Sequence, residues 1–270
     1  MSYTVLTRLI NFCEKNAIDV VMTCDLASFF GYDKYGVTKL PFQTIDMAIS
    51  IGGDGTLLGV CRKFATYDIP VCGINIGNLG FLADIEIDEL ENKLNKIISG
   101  NYHVEERLLL SGSIKNEQGE EKFLGNAIND VVVTKGSMSR MLHLGLGIND
   151  VHLMNYKADG IIVSSPTGST AYSLSAGGPI MNPNIKALLL TPICAHTFNI
   201  RPLVVNENDV VHISIAEIRQ DTIITFDGQE SFRLQPGDEI IVRKSKKTAS
   251  IVKFDDKEYY NVLMGKLYSH

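Results

Sequence analysis

The pattern that most restricts the fold lies between residues 46 and 77. A short apolar run, DMAISI, leads into the glycine loop GGDGT, Gly52 to Thr56. Then comes LLGVCRKFA, with Leu57, Leu58, Cys61 and Phe64 on one helical stripe, and a second apolar run, IPVCGINIG. Short, continuous apolar runs suit strands covered on both faces, and a period near 3.6 suits a helix between them. Strands joined through one crossover helix lie parallel, because the helix returns the chain to the end of the sheet from which it left.

The surrounding sequence extends this unit into a Rossmann-like α/β domain. VLTRLINFCEKN places Val5, Leu6, Leu9, Ile10 and Cys13 at helical spacing, AIDVVM predicts a buried strand, and a Gly- and Tyr-containing loop follows. DELENKLNKIISG predicts a solvated helix with Leu90, Leu94 and Ile97 inward and Gly100 at its end. From Arg107 the chain changes to short β-rich runs separated by turn signals at Asn116 to Gly119, Asn149-Asp150, Asp227-Gly228 and Pro236-Gly237. The expected architecture is an α/β domain over 1–104 and a mostly β, sandwich-like domain over 105–255. KEYYNVLMGKLYSH regains helical spacing, so a helix within 256–270 is expected to pack back on the first domain.

A chain of 270 residues has room for two such domains, and its 45% hydrophobic and 21% charged content is that of a folded protein. The net charge of −6, with Lys and Arg scattered except at Arg243-Lys244 and Lys246-Lys247, argues against a nucleic-acid groove. No apolar run reaches the roughly 18 residues of a membrane span, and the basic-then-apolar texture of a signal peptide is missing, so a cytoplasmic protein is expected. Cys13, Cys24, Cys61, Cys72 and Cys194 form no C-x-x-C pair and read as reduced core thiols. The six histidines show no metal-site spacing, and no metal is expected in the protein scaffold.

GGDGT fits neither common phosphate loop. It lacks the lysine of G-x-x-x-x-G-K-[ST], and counting G-x-G-x-x-G from Gly53 and Gly55 puts Leu58 in the last glycine position. A carboxylate at a strand end in an open α/β sheet projects where such sheets bind ligands. There Asp54 can accept a proton from a hydroxyl or hold Mg²⁺. It can equally be an aspartate that caps the following helix.

GGDGT, GINIGNLGFLAD at Gly73 to Asp84, NAINDVVV at Asn126 to Val133 and ADGIIVSSPTGSTAYSLSAGGPIMNP at Ala158 to Pro183 together resemble the bacterial NAD kinases, in the family's order and over most of the chain. The resemblance implies phosphorylation of the 2′-hydroxyl of the adenosine ribose of NAD, with ATP or polyphosphate as donor and Mg²⁺ accompanying it. It implies Asp54 as the general base, and Gly52, Gly53, Gly55 and Thr56 around the transferred phosphate. Asp54, Gly55, Leu58 and the apolar Phe81 would also meet the dinucleotide. Asn129 and Asp130 occupy the family's Asn-Glu pair, which holds the ribose and adenine region, although Asn and Asp are ordinary hairpin residues too. Thr167, Thr170, Ala171 and Tyr172 would bind the adenine end and Ser175 would lie nearer the nicotinamide. For Tyr172 simple packing stands as the alternative, and for Ser164 and Ser173 local hydrogen bonding. Asp159 would meet the nicotinamide portion across a subunit boundary, implying a homo-oligomer, dimer or tetramer, and Lys157 would offset phosphate charge or be merely solvated.

By the same resemblance the active site would lie in a cleft between the domains. The start departs from the family pattern, lying within the first helix without the initial I-G-I-x-x-N strand: either that strand is lost, which would leave a sheet edge open, or the given start lies downstream of it. Two other readings stay in view, a lipid kinase of the GGDGT type and a dinucleotide-binding regulator without turnover. The first is disfavoured by the lack of a basic amphipathic helix, the second by Asp54 itself.

Overall fold

Helix α1 (Ser2–Lys15) buries Val5, Leu6, Leu9, Ile10 and Cys13, the stripe that the spacing predicts. The computed structural model describes residues 2–77, 80–136, 140–196, 199–216, 221–255 and 259–268. Residues 78–79 of the GINIGNLGFLAD motif and 217–218 of the β-rich region lie outside the described residues, as do 256–258 and 269–270 of the final helical pattern. The chain divides into two units, Met1–Glu106 with Ser250–His270, and Arg107–Ala249.

In the first unit the chain continues through β1 (Met22–Thr23), α2 (Cys24–Phe30), β2 (Gly36–Val37) and β3 (Ala48–Gly52). It then forms α3 (Asp54–Ala65), β4 (Val71–Asn75), β5 (Ile85–Glu86) and α4 (Leu90–Ile98). As the crossover requires, β3 pairs with β4 in parallel, Ile49 opposite Cys72 and Gly52 opposite Asn75. On its other side β4 pairs in parallel with β5. Cys72, Ile74, Ile85, Val252 and Phe254 form a core covered by Val5 and Leu9 of α1 and by Leu90 and Leu94 of α4. Burial of Cys72 pushes its thiol up to about 12, so it is an inert core group.

Three expectations fail, on AIDVVM, on the loop after it and on the cysteines. AIDVVM is not a buried strand: Ala17 turns the chain at φ 54°, Ile18 and Val21 are about two-fifths exposed, and only Met22 and Thr23 pair, with Gly36 and Val37. The loop after it contains α2, whose two turns are too short for a periodic signal and bury only Ala27. Cys24, which opens α2, is exposed, and so is Cys194, in a turn at φ 48°, so only three of the five free thiols are core groups.

The second unit is mostly β. Its strands are β6 (His103–Lys115, entering from the first unit), β7 (Glu121–Ala127), β8 (Asp130–Thr134), β9 (Leu142–Ile148), β10 (Val151–Ala158) and β11 (Gly160–Ser164). After the one-turn helix α5 (Tyr172–Ser175) come β12 (Ala187–Ile193), β13 (Leu203–Asn206), β14 (Val211–Ile215), β15 (Ile223–Phe226), β16 (Glu230–Arg233) and β17 (Glu239–Lys253). The segment after β11 forms a 3-10 turn, Thr167–Thr170, followed by that single α-turn.

One antiparallel sheet has the order β13-β12-β11-β8-β15-β16. Alternate residues such as Val131, Val133, Ile161, Val163, Ile224 and Phe226 enter a core shared with Leu144 and Leu146 of β9 and Ile213 of β14. The opposite residues are buried too. Ala176 packs on Val132, Ile162 and Ile193, and Met181 lies with Ala187 and Leu189. The loop after β11 therefore covers the outer face of its own sheet. The final helix, α6 (Tyr259–Tyr268), belongs to the first unit.

Candidate functional site

In the first unit the site grows from the end of β3. Gly53 occupies the N-cap of α3 and Asp54 is the first helical residue, so Asp54 is not the cap. Its carboxylate instead reaches a loop 27 to 29 residues on. Oδ2 accepts the Phe81 N–H at 2.7 Å, and Oδ1 accepts those of Leu82 at 3.2 Å and Ala83 at 3.4 Å. Close approach requires a glycine beside it: a Cβ at Gly80 would overlap Oδ1 and come within 2.9 Å of the carboxyl carbon. At the loop's far end the buried Asp84 accepts the Lys253 ammonium at 3.1 Å and the Phe254 N–H at 2.9 Å. Two carboxylates thus set the position of 81–83.

Lys266, on α6, completes this cluster. Its Nζ lies 3.8 Å from Asp54 Oδ2 and 4.0 Å from the centre of the Phe81 ring. Burial lowers the ammonium's pKa, and Asp54 opposes that shift. Of the predicted phosphate loop, Gly52 is buried while Gly53, Gly55 and Thr56 are exposed. Leu58 is buried beside Leu57 on the core side of the helix.

In the second unit Asn129 and Asp130 are held from two directions. Asp227, in the hairpin turn between β15 and β16, accepts N–H groups from Ile128 at 3.1 Å, Asn129 at 2.7 Å and Asp130 at 3.2 Å. Its own N–H donates to the Asp130 carbonyl at 3.0 Å. From the other side the Ser165 N–H and the Ser164 hydroxyl donate to the Asn129 carbonyl at 2.9 and 3.1 Å, and the Ser165 hydroxyl to that of Ile128. Gly168 lies so close that a Cβ there would overlap the Asn129 carbonyl oxygen. Asp130 is 4% exposed, and burial together with the Asp227 carboxylate pushes its pKa up to about 7.

The structure therefore brings Asn129 and Asp130 against the loop that carries Thr167 and Thr170. Thr167 is buried, Thr170 and Ala171 are half-buried, and Tyr172 and Ser175 are exposed. Tyr172 is 47% exposed. The Ser164 hydroxyl bonds locally to the Ser165 carbonyl as well as to that of Asn129, whereas Ser173 bonds across to β12, 2.7 Å from the Thr191 hydroxyl. Lys157 is exposed, and Asp159 pairs with Lys135 at 3.0 Å. Strand register separates Asp159 from Asn129: Gly160 is opposite Thr134 and Ser164 opposite Asp130. These are the two ends of the β8–β11 pair, about 13 Å apart at strand rise.

Sequence reasoning missed Asp227, Lys266 and the constraint at Gly80. Asp227-Gly228 was read for its turn geometry, which φ values of 51° and 64° satisfy, and that requirement hides the work of the side chain. A surface hollow of about 400 Å³ in the second unit, lined in part by Lys115, Asn149, His212 and Arg243, holds none of the predicted residues. Among the described residues no group of three His, Cys, Asp or Glu side chains is arranged to hold a metal, and no helix is long and apolar enough to cross a membrane.

Family comparisons divide the chain in the same order as the motifs. The model of the ATP-NAD kinase N-terminal domain matches residues 9–102, and that of the ATP-NAD kinase C-terminal domain matches 128–254. The chain belongs to the NAD kinase family. A Clostridium perfringens protein named NAD kinase is 45% identical over 227 residues, 84% of this chain and 81% of the relative. A Moorella thermoacetica NAD kinase is 40% identical over 259 residues, 96% of this chain and 83% of the relative. Among solved structures, yeast NADH kinase complexed with NADH superposes with a TM-score of 0.87 at 26% identity, over 99% of this chain and 84% of that one. An NAD kinase from Archaeoglobus fulgidus in complex with ATP shares the fold, with a TM-score of 0.76 at 24% identity over 98% and 95% of the two chains. The two-part architecture, α/β followed by mostly β, is that of NAD kinases, and the chain is an enzyme of this phosphotransferase family.

Proposed function

We propose that the chain transfers a phosphoryl group to the 2′-hydroxyl of the adenosine ribose of NAD, giving NADP, with Asp54 as general base. The observation that carries this reading is the fixed carboxylate of Asp54, held by three N–H groups at the start of α3 next to a glycine loop. In the reaction the hydroxyl oxygen bonds to the donor's terminal phosphorus as the bond to the leaving phosphate breaks. The hydroxyl proton passes to Asp54. Such transfers depend mainly on positioning and on electrostatic stabilisation of the phosphoryl oxygens.

Gly52, Gly53, Gly55 and Thr56 would border the phosphoryl group, and Phe81 would lie beside the dinucleotide. Asn129 and Asp130 would take ribose hydroxyls, with Thr167, Thr170, Ala171, Tyr172 and Ser175 along the ligand. ATP or polyphosphate serves as donor, and Mg²⁺ enters bound to it as part of that substrate. Yeast NADH kinase binds NADH and the A. fulgidus enzyme binds ATP, which supports both substrate classes. Asp159, at the far end of β8–β11 from Asn129, would serve a neighbouring subunit of a homo-oligomer, with Lys157 nearby offsetting phosphate charge. A cytoplasmic location fits a soluble dinucleotide substrate.

The test is NADP formation from NAD, ATP and Mg²⁺, read through an NADP-specific dehydrogenase, with no-donor controls. Donor-dependent signal is expected, and Asp54→Asn should keep NAD binding while losing about 10²- to 10⁴-fold in kcat. Near-normal turnover by Asp54→Asn would remove the base role. Silence with both ATP and polyphosphate, while NAD still binds, would leave a non-catalytic dinucleotide binder.

A further inference from the structure

Lys266 comes from the last helix of the chain, yet its ammonium lies beside both Asp54 and Phe81. The two side chains of the ion pair are partly shielded, 21% exposed for Lys266 and 28% for Asp54. A carboxylate offers about four acceptor positions, and three N–H groups already reach Asp54. What remains for a substrate hydroxyl is narrow, so the rotation of the carboxyl group and the placement of the neighbouring ring decide whether a hydroxyl can enter.

We propose that Lys266 is a positioning residue for phosphoryl transfer: its ammonium holds the Asp54 carboxylate against the Phe81–Ala83 loop and pins the Phe81 ring beside it. This rests on the reading of Asp54 as the base. The charge attracts Oδ2, and the ring face attracts the same ammonium through its quadrupole. A neutral side chain of similar length would fill the space and hold neither group. Two of the three loop N–H contacts are long, 3.2 and 3.4 Å, so the ammonium, 3.8 Å from Oδ2, adds a further restraint on the carboxylate. Lys266 belongs to the unit that contains Asp54, whereas the Asn129–Asp130 group is built within the other. Its loss should therefore act on turnover more than on capture of the adenosine half.

The experiment compares Lys266→Met, Lys266→Arg, Asp54→Asn and the double variant Lys266→Met/Asp54→Asn in the full chain. Lys266→Met should lower kcat by about tenfold or more while KM for NAD stays within about threefold, the signature of an interaction that matters in the transition state. Lys266→Arg, which keeps the charge and the ring contact, should recover to within about threefold of the parent. In the Asp54→Asn background the Met substitution should change the residual kcat by less than about twofold, because the two residues act as a unit. Unfolding temperature should move by no more than about 2 °C.

Parental kcat in Lys266→Met would overturn the proposal, and so would an equal loss in both backgrounds. A loss that follows a fall in unfolding temperature and is not rescued by arginine would assign the residue to stability instead. The two readings fail separately. Near-normal Asp54→Asn turnover defeats the base, while an inactive Asp54→Asn beside a fully active Lys266→Met defeats only the positioning role.

Discussion

Asp54 in the first unit and Asp227 in the second make the same bond pattern, a carboxylate that gathers the N–H groups of three consecutive residues: Phe81 to Ala83 in one case, Ile128 to Asp130 in the other. Their surroundings differ. Asp54 stands in the first turn of a twelve-residue helix, beside an ammonium, with part of its side chain open. Asp227 sits in a hairpin turn and faces Asp130, a buried carboxyl whose ionisation it opposes. The first carboxylate keeps part of its surface open beside an ammonium, and the second is spent on shaping the strand entry that carries Asn129. Bonds alone do not separate a catalytic carboxylate from a structural one; access and neighbouring charge do.

Removing the structural member should have the largest effect. Asp227→Ala strips the acceptor from three N–H groups and places alanine at a positive φ, so urea unfolding should show a loss of about 3–4 kcal/mol. A loss under about 1 kcal/mol would mean that water replaces the carboxylate and that the turn holds itself.

On the other side of the comparison, Gly80→Ala should displace Asp54 without removing it. Misplacing a reacting group by about 1 Å costs on the order of 10²-fold in kcat, and the circular dichroism of the variant should match the parent. An unchanged kcat would show that Asp54 does not need its seat on the loop.

Asp130 tests the electrostatic half. Its pKa is raised from 3.8 to about 7, so between those values the native state holds a proton that the unfolded chain has released. This contribution is fully present below the unfolded pKa and is lost as the pH rises through about 7. Asp130→Asn removes the dependence. The stability difference between pH 5 and pH 8 should shrink by about 2–3 kcal/mol relative to the parent, measured by denaturant unfolding at both values. An identical pH profile would assign the titration elsewhere.

The smallest effect belongs to Lys157, exposed on β10. Lys157→Ala should shift stability by less than about 0.5 kcal/mol. Loss of one solvent-facing charge should raise KM for NAD about threefold. Unchanged affinities for both NAD and NADP would make it a solvated lysine.

Much of the fold was legible because it is local. The α1 stripe, the β3–α3–β4 crossover and the positive-φ turns at Asn149, Asp227-Gly228 and Gly237 follow from side-chain period and backbone sterics within a few residues. AIDVVM misled because a β-branched apolar run signals a strand only when something covers it, and Ile18 and Val21 stay about two-fifths exposed. At the candidate site, GGDGT marked Asp54 but not its orientation. Asn129 and Asp130 stood out only through the resemblance, since as a dipeptide they read as a turn.

By itself the sequence determined the α1 stripe, the β3–α3–β4 unit with its glycine loop, and the change from α/β to mostly β texture near Arg107, because propensity, period and turn geometry act over a few bonds. Only the tertiary structure decided what those residues do to one another. Asp54 meets Phe81 across 27 residues, Asp227 meets Asn129 across 98, and Lys266 reaches Asp54 from the far end of the chain. Such pairs depend on sheet register and on where the last helix docks, which are settled by packing a whole core rather than by any local stretch of chain.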